Sequence, residues 1–246
     1  MQKIKVNWKK MLIGVIVLFS LMTVGLYLLI QSRTYEAMDE ARAILNEEQV
    51  SQEDGWIKIE AEDRIGTIVF YQGAFVEAEA YLPLAKKLST EGFRVFIPYM
   101  PLNLAILNSN AFEEIIEEYR SDEEWWIGGH SLGGASASIY AASEEETIDG
   151  LFFLAAYPSD SSDLSEKPYP IVSITAANDI IVNEERFDES KDNLPDHTVF
   201  YTIDGGNHAG FGNYGFQSGD GAATITQEDQ QEQVVDIMMS VLLEND

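Results

Sequence analysis

Trp125-Trp126-Ile127-Gly128-Gly129-His130-Ser131-Leu132-Gly133-Gly134-Ala135 sets an apolar run, a serine flanked by glycines and a small-residue segment in immediate succession. The order reads as strand, sharp turn and helix, with Ser131 on the turn. A residue on so tight a turn needs neighbours without side chains two positions before and after it, and Gly129 and Gly133 meet that need. Gly134 and Ala135 let the following helix lie close to a sheet. The free N–H groups of that helix then point at whatever reacts with the serine oxygen. G-x-S-x-G alone is a weak signal, and its weight comes from the strand before it and the helix after it.

Working outward, the same alternation continues. Residues 56–60 alternate like an edge strand, 65–71 form a compact apolar run ending at Gln72-Gly73, and 93–99 form another, ended by Pro98 and Pro101. Between them, 78–91 place Ala80, Leu84 and Leu88 at helical spacing, and Gly92 stops them. Residues 111–120 are helical, with Phe112, Ile115, Ile116 and Tyr119 on one face. Short apolar strands follow at 124–127, 151–156, 171–176 and 198–203, with helices at 133–143 and 227–243. The last helix turns Val234, Val235, Met238, Val241 and Leu242 inward. Strands that are apolar on both faces and alternate with helices predict a mostly parallel sheet in a three-layer α/β/α sandwich.

The partners of Ser131 follow by elimination. Where a serine sits on such a turn, the chain order is serine, acid, histidine. Only three histidines exist. His130 is the serine's own neighbour and cannot reach round to it. His197 precedes the strand 198–203 and His208 follows it, so the two lie roughly 20 Å apart at opposite sheet edges. Reacting groups in open α/β sheets collect at the carboxyl ends of strands, which selects His208. Asp179 follows the strand 171–176 at that edge and is the expected acid, with Asp160 and Asp163 as the alternatives. The N–H groups expected to stabilise an oxyanion are those of Leu132 and Ala74, with Phe75 as the fallback. The glycine-rich 205–221 carries Phe211, Tyr214 and Phe216, and Phe211 and Tyr214 are expected to wall a substrate pocket together with Phe75. Only residues 157–170 occupy the place usual for a lid, so the site should be open or shallow.

Residues 11–30 contain no charge, and as a helix they span a hydrocarbon core of about 30 Å. No A-x-A-like site follows, which favours an uncleaved anchor over a removed leader. Four lysines precede the run, so residues 1–10 are expected as a cytoplasmic basic tail and the bulk of the chain outside the cell membrane. Residues 31–54 then form a stalk or a first helix, and 55–246 the main domain. The chain of 246 residues suits one domain with such an appendage. Four of its 15 basic residues and none of its 42 acidic ones lie in the first 30 positions, leaving a formal charge of −31 on the rest. Such a surface repels phosphate backbones and argues against a nucleic-acid partner. Absent cysteine excludes disulfides, thiolate metal sites and cysteine nucleophiles. No metal-ligand spacing repeats, so neither metal nor cofactor is expected.

The chain resembles the α/β-hydrolase superfamily over about residues 56–243. Within it, the chain is similar to the group called α/β hydrolase family 5. The resemblance rests on Ala80-Tyr81-Leu82-Pro83-Leu84-Ala85, Met100-Pro101-Leu102-Asn103-Leu104-Ala105, Gly128-Gly129-His130-Ser131-Leu132-Gly133-Gly134 and Gly206-Asn207-His208-Ala209-Gly210-Phe211-Gly212, in that order. It implies Ser131, Asp179 and His208 as a triad on an α/β-hydrolase fold, which the apolar run of 11–30 is expected to precede as one transmembrane helix. It implies no particular substrate. One departure is Tyr71-Gln72-Gly73-Ala74, where many superfamily members carry His-Gly or Pro-Gly-Gly. The expected activity is a serine hydrolase acting on a small-molecule ester, with a peptidase or amidase and a non-catalytic surface module as rivals.

Overall fold

A computed structural model describes residues 8–120, 122–143 and 147–243. Lys3 and Lys5 of the expected basic tail and the side chain of Leu242 lie outside the described residues. The chain forms two units, Met1–Thr34 and Tyr35–Asp246. The first contains helix α1 (Trp8–Gln31), which extends the apolar run of 11–30 at both ends and buries none of its side chains. Its 24 residues measure about 36 Å, so it is long and apolar enough to cross a membrane.

The second unit begins at Tyr35, ahead of position 55. Helix α2 (Asp39–Ala43) buries Ala41 in its core, so this part of 31–54 is the domain's first helix. Eight strands follow: β1 (Val50–Gln52), β2 (Trp56–Ile59), β3 (Gly66–Tyr71), β4 (Phe93–Pro98), β5 (Glu124–His130), β6 (Gly150–Leu154), β7 (Ile171–Ala176) and β8 (Val199–Ile203). They make one sheet in the order β1-β2-β4-β3-β5-β6-β7-β8. The β1–β2 and β2–β4 pairs are antiparallel and the rest are parallel. Among the described residues the unit also holds helices α3 (Leu82–Thr90), α4 (Ala111–Tyr119), α5 (Leu132–Ser143), α6 (Glu184–Ser190) and α7 (Gln227–Leu243).

Side chains along a strand alternate between faces, and the core divides accordingly. Ile68 and Phe70 of β3 join α3 and α7 in one apolar cluster, through Leu84, Leu88, Val234 and Met238. Val69 and Tyr71 join α4 and α5 in the other, through Phe112, Ile115, Ala137 and Tyr140. The second unit is the three-layer sandwich expected, with helices on both faces of a mostly parallel sheet. Because β3 to β8 run parallel, their carboxyl ends and the loops after them share one edge.

Three elements depart from the sequence reading, the first being β1, a strand within 31–54 that pairs with β2. β5 continues past Ile127 to His130, because glycines 128 and 129 pair with Phe152 and Phe153 of β6 as readily as larger residues would. Helix α6 is additional. It offers only Phe187 for an apolar stripe, and its sign in the sequence is its cap: Asn183 accepts the Arg186 N–H at 2.9 Å.

Candidate active site

β5 delivers Ser131 to the carboxyl edge with φ at 52°, in the left-handed region that residues with side chains rarely occupy. The turn is pinned by the Ser131 N–H, which donates to the Leu154 carbonyl of β6 at 2.9 Å. Helix α5 starts at the next residue. The flanking glycines have one shared cause. A Cβ on Gly129 would lie 2.2 Å from the Tyr71 carbonyl oxygen, and one on Gly133 would lie 2.1 Å from the same atom. The end of β3 thus occupies the space on both sides of the serine.

Strain of this kind is concentrated. Phe75, Leu102, Asn103, Ser131 and Ala155 are the non-glycine residues with positive φ among the described residues. They follow β3, β4, β5 and β6, all at the carboxyl edge. Positive φ costs of order 1–3 kcal/mol per such residue and persists where the surroundings over-determine it, which is characteristic of functional sites.

Asp179 and His208 meet at that edge. His208 Nδ1 lies 2.8 Å from Asp179 Oδ2, and both side chains are almost fully buried. The other carboxylate oxygen, Oδ1, accepts the N–H groups of Ile181 and Val182 at 2.8 and 3.0 Å. A carboxylate fixed by two backbone donors leaves its second oxygen to the imidazole, so His208 carries its proton on Nδ1 and presents Nε2 as a base. Asp160 lies near Arg186, and Asp163 bonds Ser165, so neither alternative acid engages His208. His197 bonds the Tyr169 carbonyl. The Ser131 hydroxyl makes no hydrogen bond among the described residues, His208 included. Such contacts often tighten only when substrate is bound.

The loop after β3 lies beside the serine. The Phe75 N–H donates to the Asn103 carbonyl at 2.7 Å, so the fallback donor is already occupied and is withdrawn. The N–H groups of Ala74 and Leu132 have no partner among the described residues; Leu132 is the first residue of α5, where intrahelical acceptors are lacking. Gln72 holds the loop's shape, donating from Nε2 to the Val76 carbonyl at 2.8 Å and to Asn103 Oδ1 at 3.0 Å.

Sequence reasoning gave no role to Tyr81, which ties this loop to the elbow. Its hydroxyl accepts the Gly73 N–H at 2.9 Å and lies 2.9 Å from His130 Nδ1. One hydrogen bond therefore joins the Tyr81 hydroxyl to His130 Nδ1. Burial, and the neighbouring His208 ring 4.5 Å away, push the His130 pKa well below the usual histidine range, so it is neutral. Tyr81 was present in one of the blocks carrying the resemblance, but its partner is 49 residues distant and no local pattern signals the bond.

The expected pocket wall is corrected. Phe211 is fully buried and Tyr214 nearly so. Their rings pack against His130 at 5.7 and 6.3 Å, so they sit in the core beneath the site and not on an open wall. The loop carrying them is held by helix α7. Gln230 accepts the Asn207 N–H at 3.0 Å and donates to the Asn207 carbonyl at 2.9 Å, Gln231 donates to Asn213 at 2.8 Å, and Gln227 donates to the Gly212 carbonyl. Asp220 accepts the Ala209 N–H at 2.8 Å. Phe75 remains half-buried at the site, and Phe216 is exposed. Residues 157–170, which join β6 to β7, contain no helix, so that connection builds no helical cap.

A serine on a positive-φ strand–helix turn, at the carboxyl edge of this sheet order, defines the α/β-hydrolase fold. The chain belongs to the alpha/beta hydrolase family, whose model matches residues 67–232. Solved structures agree. An alpha/beta hydrolase enzyme from the metagenome of lagoon sediments at Mar Chica, Morocco, superposes with a TM-score of 0.60 at 18% identity, over 80% of this chain and 98% of that one. Dienelactone hydrolase from Anabaena variabilis gives 0.60 at 14% identity over 78% and 99%. The Paleococcus ferrophilus monoacylglycerol lipase gives 0.59 at 17% identity over 77% and 99%. No curated protein matches the chain.

Proposed function

We propose that the protein is a membrane-anchored serine carboxylesterase that cleaves small or medium acyl esters, with its catalytic domain outside the cell. The observation that carries the reading is the buried Asp179–His208 pair at the same sheet edge as the strained Ser131 turn. Ser131 Oγ attacks the ester carbonyl while His208 Nε2 takes its proton. The N–H groups of Leu132 and Ala74 receive the oxyanion. Collapse of the tetrahedral intermediate breaks the C–O bond, and His208 returns the proton to the leaving alcohol. Water, deprotonated by His208, then attacks the acyl-enzyme; the acid departs and Ser131 regains its proton. Asp179 holds the tautomer throughout. The dienelactone hydrolase and monoacylglycerol lipase names among the structural relatives support ester chemistry over amide chemistry. Helix α1 and the four lysines before the apolar run support the anchor and its direction.

The test uses the full chain reconstituted in vesicles. A fluorophosphonate probe is expected to label one serine, Ser131, and to abolish hydrolysis of nitrophenyl acetate in proportion to labelling. Labelling elsewhere, or full activity after labelling, overturns the assignment.

Tyr81→Phe probes the oxyanion loop. The change leaves the Gly73 N–H and His130 Nδ1 without their partner inside the protein, at about 1–3 kcal/mol for each buried group. The loop presenting the Ala74 N–H loosens, so kcat is expected to fall about 10-fold with KM nearly unchanged. Steady-state kinetics on nitrophenyl acetate check this, and an equal rise in KM with constant kcat would assign Tyr81 to substrate binding instead.

A further inference from the structure

The catalytic edge is bordered by large apolar side chains that the fold leaves in solvent. Leu102, Ile106 and Leu107 follow β4, and Ile180, Ile181 and Phe216 follow β7 and β8. The two groups stand on either side of the Ser131 elbow, since β3, β5 and β6 lie between β4 and β7 in the sheet. Leu107 is 53% exposed and Phe216 72% exposed. Isolated apolar residues on a surface need no explanation, but several gathered around one edge of an otherwise acidic domain do.

The start of the domain lies at the same edge. The Tyr35 N–H donates to the Phe75 carbonyl at 2.7 Å, and the Glu77 N–H donates to the Tyr35 carbonyl at 3.1 Å. The first residue of the compact unit is therefore paired with the loop that presents Ala74. Helix α1 ends at Gln31, so only Ser32, Arg33 and Thr34 intervene before Tyr35. From Gln31 to Tyr35 a fully extended chain covers about 14 Å. The opposite edge of the sheet is a further strand length away, roughly 20 Å.

We infer that the catalytic edge is a lipid-facing surface, with Leu102, Ile106, Leu107, Ile180, Ile181 and Phe216 seated in the headgroup region of a phospholipid bilayer. The inference rests on the reading of α1 as a membrane span. The occupant is the bilayer because the tether is too short to hold this edge far from it, and because a rim of apolar side chains gains by leaving water at that interface. The net charge of the domain disfavours anionic lipid, so the partner is a zwitterionic surface.

The chain has no cysteine, so a single introduced thiol gives a unique label position. Leu107→Cys, Phe216→Cys and, at the opposite edge between β2 and β3, Glu62→Cys are each made in the full chain. Each is labelled with an environment-sensitive fluorophore and reconstituted in phosphatidylcholine vesicles containing nitroxide-labelled lipid. Quenching at positions 107 and 216 is expected to exceed that at 62 at least about 3-fold. Equal quenching at the three positions, or stronger quenching at 62, overturns the inference while leaving the anchor intact. A full chain that does not float with the vesicles overturns the span, and the lipid-facing edge with it.

Discussion

Ser131→Ala is expected to lower kcat for nitrophenyl acetate by about 10⁶-fold, with the domain still folded. The nucleophile and its base act as a unit, so removing one member forfeits nearly the whole contribution of the set. Residual turnover about 10³-fold above water should persist, because the Leu132 and Ala74 N–H groups still polarise a bound carbonyl. The fold is spared because the two bonds that hold the turn are made by backbone. They are the Ser131 N–H to the Leu154 carbonyl and the Ala135 N–H to the Ser131 carbonyl. Alanine at the same positive φ bears strain similar to serine, so Tm should move by no more than about 2 °C. Progress curves and a thermal melt on the same preparation check both halves. Undiminished turnover would remove Ser131 from the chemistry.

Asp179→Asn is expected to cost about 10⁴-fold in kcat through the tautomer of His208. In the native site, Oδ1 is held by the Ile181 and Val182 N–H groups and Oδ2 faces His208 Nδ1. An asparagine keeps its carbonyl oxygen on the two backbone donors, because its NH₂ cannot accept from them. The NH₂ therefore lands opposite Nδ1 and donates to it. The imidazole must then place its proton on Nε2, the atom that should receive the serine proton. The geometry survives while the base is lost. Nitrogen-15 NMR of His208 would register the tautomer directly, with the proton moving from Nδ1 to Nε2. Full activity with an unchanged tautomer would defeat the argument, and Asp179→Ala, which cannot donate to Nδ1, should retain more activity than the asparagine variant.

The parts of the fold readable from sequence were those with local signatures. The strand–turn–helix around Ser131, the apolar strands and the chain order of serine, acid and histidine all depend on residues close to one another in sequence. His208 could be separated from His197 because a strand of known rise lies between them. What could not be read depends on pairing across the chain. Nothing near Tyr81 marks its bond to His130, and nothing near Phe75 shows that its N–H is already given to Asn103. Phe211 and Tyr214 illustrate the same limit from the other side. Aromatic residues among glycines suit a pocket wall and a loop packed on its own domain equally well, and the choice was made by helix α7, whose apolar face and glutamines are far along the chain. Helix α6 escaped because an acidic segment of about two turns with a single phenylalanine has no periodicity to detect.

The glutamine contacts of α7 also bear on the order in which the protein becomes active during synthesis. The sheet, the elbow and Asp179 are all translated before α7, and so is His208 itself. Yet the loop that aims His208 is fastened by Gln227, Gln230 and Gln231, which leave the ribosome afterwards. A nascent chain that still lacks α7 is therefore expected to hold no working base. On the proposed chemistry, hydrolysis is expected only once α7 docks, and a chain stalled or clipped before Gln227 is expected to be inert toward esters.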